Sequence, residues 1–168
     1  MLEIVGVFVA AAILFGLVHD QVTARVCVEY FTVAHERIVD SESPTVLGLV
    51  WGVVATWWAG ALAGLVVSLA AREGPWPRLG WRHFVRPAAW LVIAMACSAS
   101  MAGIAGFFLT QHGIIRIVPD FAEAIAAPRH ARFMADVFAH LASYGIGLGG
   151  SVVIAVRALV VRSRMGAL

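Results

Sequence analysis

Four stretches of the chain are long, continuously apolar and nearly free of charge: about 2–21, 45–71, 87–111 and 133–161, each bounded by charge, Pro or Gly. A hydrocarbon core about 30 Å thick takes about 20 helical residues to cross at about 1.5 Å each, and every one of these stretches reaches that length. Their apolar residues run on instead of alternating, which argues against barrel strands. Composition points the same way. With 61% hydrophobic and 13% charged residues, against about 45–50% and about 25% in a soluble domain, the chain has too little polar surface for a water-soluble globule and too much apolar surface for disorder. Two cysteines exclude a disulfide scaffold. The expected fold is all-α: a polytopic membrane protein forming a four-transmembrane-helix bundle, one domain over 1–168, in a bacterial inner (plasma) membrane.

Four spans place both termini on one side. The connection 72–86 carries Arg72, Arg78, Arg82 and Arg86, and the C-terminal end adds Arg157, Arg162 and Arg164; the opposite face carries Arg25, Arg37, Arg116, Arg129 and Arg132. The positive-inside rule then puts both termini in the cytoplasm. The first stretch reads as an uncleaved helix, because Met1-Leu2-Glu3 has an acid and no base where a signal peptide is basic. All twelve basic residues are Arg, which a GC-rich genome would produce as readily as selection for guanidinium chemistry, so the bias carries no functional weight. A net charge of +2 without a basic cluster argues against nucleic acid as a partner.

Small residues mark where helices meet, since in lipid close backbone approach replaces apolar burial as the driving force. Gly48 with Gly52, and Gly60 with Gly64, each fall on one face of the second span; the third and fourth spans are rich in Ala, Ser and Gly. A compact bundle follows, and a homo-oligomer through Gly60 and Gly64, or assembly into a larger membrane complex, is the alternative use of that face.

On this topology, His19, His35, His112, His130 and His140 collect on the extracytoplasmic side with eight of the ten acids. The segments there, 22–44 and 112–132, are long for idle loops. His19 and Asp20 end the first span; Asp136 and His140, four apart, share one face at the start of the fourth; Gln111 and His112 end the third at the same level. Ionisable groups at membrane depth are costly and face a bundle interior or wet cavity. His19, Asp20, His112, Asp136 and His140 therefore form a candidate metal site, of a kind suited to Zn, Cu or Fe, or a seat for one b-type haem between His19 and His140. The plainer reading has Asp20 and Asp136 accept bonds from Arg25, Arg132 or a histidine and tie helix ends together.

The stretch His19 to His35 is the most distinctive of the chain. From Val22 to Phe31 it alternates with period two, as a strand would, while as a helix it would pair Arg25 with Glu29. Its pattern H-D-Q-x-T-x-R-x-C-x-E-Y-F-T-x-x-H, with the Pro44 entry into a Trp-rich second span and the run from Arg132 to Asp136 and His140 to Tyr144, resembles an uncharacterised family of small bacterial four-span membrane proteins. The resemblance implies the same architecture and carries no activity with it.

Other chemistries lack their residues. There is no C-x-x-C pair, no phosphate-cradling Gly loop outside a span, no Lys for a Schiff base and no interrupted helix pair of the transporter type. Trp57 and Trp58 could stack on a quinone or pigment, although such residues usually fill core or face lipid. Without a catalytic signature, the first reading is a non-enzymatic accessory or structural subunit, a self-associating bundle in the lipid bilayer. A metal- or haem-dependent protein using the His/Asp cluster is the second, and a proton relay through His19, Asp20, Asp136 and His140 the third.

Overall fold

The computed structural model describes residues 1–167. Every regular element among them is helical: α1 (Leu2–Val26), α2 (Glu29–Thr32), α3 (Pro44–Val54), α4 (Trp57–Arg72), α5 (Arg82–Gln111), α6 (Pro119–Ala124), a 3-10 turn (Ala127–Arg129) and α7 (His130–Met165). Four helical stretches, Leu2–Val26, Pro44–Arg72, Arg82–Gln111 and Ala127–Met165, are each long and apolar enough to cross a membrane. All four are longer than the apolar runs alone suggest. α1 continues to Val26 and absorbs the start of the period-two segment, because Gln21 to Arg25 support the helix through side-chain bonds instead of leaving it: the Arg25 guanidinium donates to the Gln21 carbonyl at 2.6 Å and to its side-chain oxygen at 2.8 Å. α5 begins at Arg82 and carries Pro87 inside its second turn, where the ring removes one backbone bond near the helix start.

The second apolar stretch is two helices. Regular α-geometry lapses at Ala55 and Thr56, and the Thr56 hydroxyl turns back to donate to the Gly52 carbonyl at 2.5 Å, a bond that bends helices. The break lies where α1 comes closest. A Cβ at Gly52 would stand 2.8 Å from the Gly16 carbonyl, one at Gly48 would stand 2.7 Å from the Asp20 carbonyl, one at Gly60 2.7 Å from the Phe8 carbonyl and one at Gly64 2.7 Å from the Val5 Cα. All four glycines thus face α1 of the same chain, and a second copy could pair through Gly60 and Gly64 only by displacing it. α5 lies most extensively along α7, where Gly106 approaches Phe138 and Met134 as closely. α4 against α7 joins the two halves, while α1 and α5 meet more sparsely.

The two ends of the bundle differ. At the end that carries both termini, Ile4, Phe8, Val67, Ala71, Leu79, Phe84, Ala88, Ala155 and Ala158 form the largest apolar core. Arg162 is sealed beneath the 73–81 connection with no exposed surface, donating to the carbonyls of Ala70 at 2.6 Å, Pro77 at 2.8 Å and Trp76 at 2.9 Å. At the other end, two smaller clusters, Ala24, Phe31 and Leu47, and Cys27, Ile125 and Phe133, fasten α2 and the 112–129 connection over the helix ends.

Candidate functional site

α1 delivers His19 and Asp20 to the end of the bundle opposite the termini, and α7 delivers His140 and Asp136 to the same level. One ligand atom each from His19, Asp20 and His140 lie within 4.8 Å of one another. The His19 and His140 rings meet edge to face, 4.6 Å between centroids. Phe15 stacks on His19 at 5.0 Å, and Tyr30 of α2 stacks on His140 at 4.3 Å, roofing the cluster. Asp20 is 4% exposed, Asp136 1% and His140 7%, so bulk water does not screen their charges.

The hydrogen bonds of His140 pose a question of charge. Its Nδ1 lies 2.7 Å from the Asp136 carbonyl. A carbonyl only accepts, so Nδ1 carries a hydrogen and donates. On a neutral ring Nε2 is then a bare lone pair, and it faces the Asp20 Oδ1 at 3.3 Å. Two acceptors meet there unless a positive species lies between them, a second proton or a metal ion. Buried close by, His19 Nε2 and Asp136 Oδ2 have no partner at all, a condition that costs about 1–3 kcal/mol per group when left unmet. Two imidazoles and one carboxylate with orphaned polar atoms beside them suit a metal: donors held about 2.0–2.1 Å from a tetrahedral ion stand about 3.3–3.4 Å apart, a spacing the His140–Asp20 pair meets at 3.3 Å, while the trio as a whole spans up to 4.8 Å and has to draw in around an ion. The haem reading does not fit, because His19 and His140 touch edge to face and leave no gap for a porphyrin plane between them.

The sequence-derived ligand set is therefore corrected in one member and sharpened in another. His112 is exposed and its Nδ1 is bonded to the Phe108 carbonyl of its own helix at 2.8 Å, away from the cluster. Asp136 is in the buried layer but outside the converging trio. Nor do the arginines bind Asp20: Arg25 is exposed and donates to Gln21 and, at 2.8 Å, to the Thr45 hydroxyl. Arg25 and Glu29 do not pair, since the helix ends at Val26 and Cys27 is extended.

Glu29 instead takes a forked set of bonds from Arg129 at 2.8 to 3.2 Å, across 100 residues of sequence. This pair holds α2 against the start of α7 and so keeps Tyr30 over His140. Burial works against the Glu29 charge, but the Arg129 bonds, with the Cys27 thiol donating at 3.2 Å, hold its carboxyl below the usual range. Burial, reinforced by that bond and by the Glu29 charge, pushes the Cys27 thiol up to about 12. Burial likewise raises the Tyr30 phenol above its ordinary range, so the roof of the site is a neutral ring. His35 Nδ1 donates to the Tyr30 carbonyl, 2.7 Å away, and fixes that turn. Tyr30, Arg129 and Arg162 are the residues whose roles sequence reasoning passed over.

No protein family, curated protein or solved structure matches the chain.

Proposed function

We propose that this is a multi-pass protein of the bacterial inner membrane, with both termini cytoplasmic, that holds one transition-metal ion between His19, Asp20 and His140 beneath the Tyr30 roof. The observation that carries the reading is the convergence of those three donors, Asp20 and His140 buried and His19 half-buried, with Nε2 of His140 directed at the Asp20 carboxylate. Two imidazoles and one carboxylate are the donor set of open Zn and non-haem Fe(II) sites, in which at least one position is left for solvent or a substrate. An accessory role, which the sequence favours first, has no such specific observation behind it.

The test is metal analysis of protein purified in detergent, as isolated and after anaerobic titration with Zn(II), Fe(II) and Cu(II). About one equivalent bound is expected, lost in His19→Ala and in His140→Ala. Protein that is metal-free as isolated and takes up none of the three ions stoichiometrically overturns the reading. A reporter fused after Met165 that is active only in the cytoplasm is the expected result for the topology.

A further inference from the structure

Of the five arginines at the end opposite the termini, three have partners: Arg37 pairs with Asp40, Arg129 pairs with Glu29, and Arg25 donates to Gln21 and Thr45. Eight of the ten acids lie at that end. The end that carries the termini is the reverse. Arg78, Arg82 and Arg86 are exposed there and make no ion pair or side-chain hydrogen bond among the described residues, and neither acid of that end, Glu3 or Glu73, pairs with any of them. Arg78 is held in place from both sides. Arg162 pins the Trp76 and Pro77 carbonyls just before it, and Leu79 just after it is buried, its N–H bonded to the Ala71 carbonyl at 3.0 Å. The Arg82 guanidinium lies over the Trp81 ring, 5.6 Å from its centroid.

These guanidiniums head an apolar face. Arg82, Val85, Arg86, Ala89, Trp90 and Ile93 are all exposed, and at about 100° of turn per residue they fall within about 140° of one another, on one side of α5. α5 is the least buried of the four spans. From Arg82 to Ile93 is about 17 Å at the helical rise, close to the hydrocarbon depth of one leaflet, about 15 Å. The face is graded as a leaflet is: cations at the headgroup level, with Arg86 reaching up to it along its stem, and Trp90 and aliphatic side chains below. A guanidinium takes a phosphate through a forked pair of bonds, and three unpaired cations complement a headgroup of net negative charge. A phosphatidylethanolamine head brings its own ammonium into the same positive field. We infer that Arg78, Arg82 and Arg86 bind the headgroup of an anionic phospholipid whose acyl chain lies along Val85, Ala89 and Ile93. The inference rests on the membrane part of the reading above and is independent of the metal.

Native mass spectrometry of the full chain in detergent, titrated with phosphatidylglycerol or with phosphatidylethanolamine of the same acyl chains, tests it. The first phosphatidylglycerol adduct is expected to form at least about tenfold more tightly than the first phosphatidylethanolamine adduct. Arg78→Gln is expected to weaken it about fivefold, and Arg82→Gln combined with Arg86→Gln about 25-fold. Arg116→Gln combined with Arg132→Gln removes as much charge from exposed positions at the acid-rich end and is expected to change the affinity less than about twofold. Excess inorganic phosphate is expected to leave the adduct in place, because it has no chain to lie along α5. The comparison of the two lipids uses the unaltered chain and so does not depend on any variant folding. Equal binding of the two lipids overturns the inference, as does an undiminished adduct in the Arg82, Arg86 double variant or an equal loss in the Arg116, Arg132 one. So does displacement by inorganic phosphate or by a polyglutamate peptide, which would make the patch a seat for soluble anions or for an acidic protein. Each of these outcomes leaves the membrane reading standing; recovery of the chain in the soluble fraction overturns that reading and the inference with it.

Discussion

Nε2 of His140 faces Oδ1 of Asp20 at 3.3 Å across the meeting of α7 and α1, with both side chains almost fully buried. Few other direct contacts join these two helices, so the pair links the half of the bundle built on α1, α3 and α4 to the half built on α5 and α7. Whatever positive species satisfies both atoms also holds the halves together at this end.

Removing one partner strands the other in a buried place. Asp20→Asn and His140→Gln are each expected to destabilise the bundle by about 3–5 kcal/mol, and the double variant by clearly less than the sum. Thermal unfolding in detergent reads this directly. A chelator is expected to lower the unfolding temperature of the unaltered chain and to leave both variants unmoved; additive single effects would show that the two side chains do not interact.

Arg162 satisfies three carbonyls from a position with no exposed surface. Arg162→Met keeps much of the volume but strands those acceptors, and a loss of about 3 kcal/mol or more is expected. Arg157→Met, on the exposed face of the same helix, is expected to change stability by less than about 0.5 kcal/mol. The comparison of unfolding midpoints separates the buried role from a general effect of charge.

Glycine is required at position 60 and dispensable at 145. Gly60→Ala drives a methyl into the Phe8 carbonyl and the Ala12 side chain, each 2.7 Å away, and is expected to cost about 1–3 kcal/mol as α1 is pushed off α4. Gly145 has nothing within 4 Å, and Gly145→Ala is expected to be neutral or to stabilise by up to about 1 kcal/mol through helix propensity. Equal effects in a thermal assay would contradict the close packing of α1 on α4.

Acid is expected to undock α2. The folded state holds the Glu29 carboxyl below its ordinary 4.5, so the pair with Arg129 contributes fully above that value and its contribution fades as pH falls through the lowered one. Cys27 reports the event, since its thiol is buried and pushed up to about 12 while α2 is docked. In a Cys97→Ala background, labelling by 4,4′-dithiodipyridine is expected to be slow and steady from pH 7 to 5 and to accelerate below about 4.5, while Glu29→Gln labels quickly throughout. A flat profile shared by both proteins would remove Glu29 from this role.

Hydropathy alone made the four long helices legible, because about 20 apolar residues have few other solutions. The paired glycines were readable as contact positions, but which helix they contact was not: α1 and a second copy present similar surfaces to a sequence. The helix ends misled for local reasons. Alternation from Val22 to Phe31 looks like a strand, yet Val22, Ala24 and Val26 extend α1, and only at the extended Cys27 does the chain turn back. For the site, His19, Asp20 and His140 were found from depth and spacing. His112 shares their depth and lacks their direction. Counting six residues on from Gly106, which faces α7, turns the helix by about 600°, well off the contact face, so the small-residue stripe of α5 already held the information that excludes it. Arg162 and Arg129 offered no such signal, since their partners lie 85 to 100 residues away in sequence.

Arg162 turns one end of the bundle into a fulcrum. It rivets α7 to the last turn of α4 and to the connection beyond it, so any rocking of α7 against α4 pivots there and its amplitude grows with distance along the helix. His140 lies 22 residues up the lever, about 33 Å at the helical rise. A tilt of about 2° at the rivet displaces the imidazole by about 1 Å at that radius.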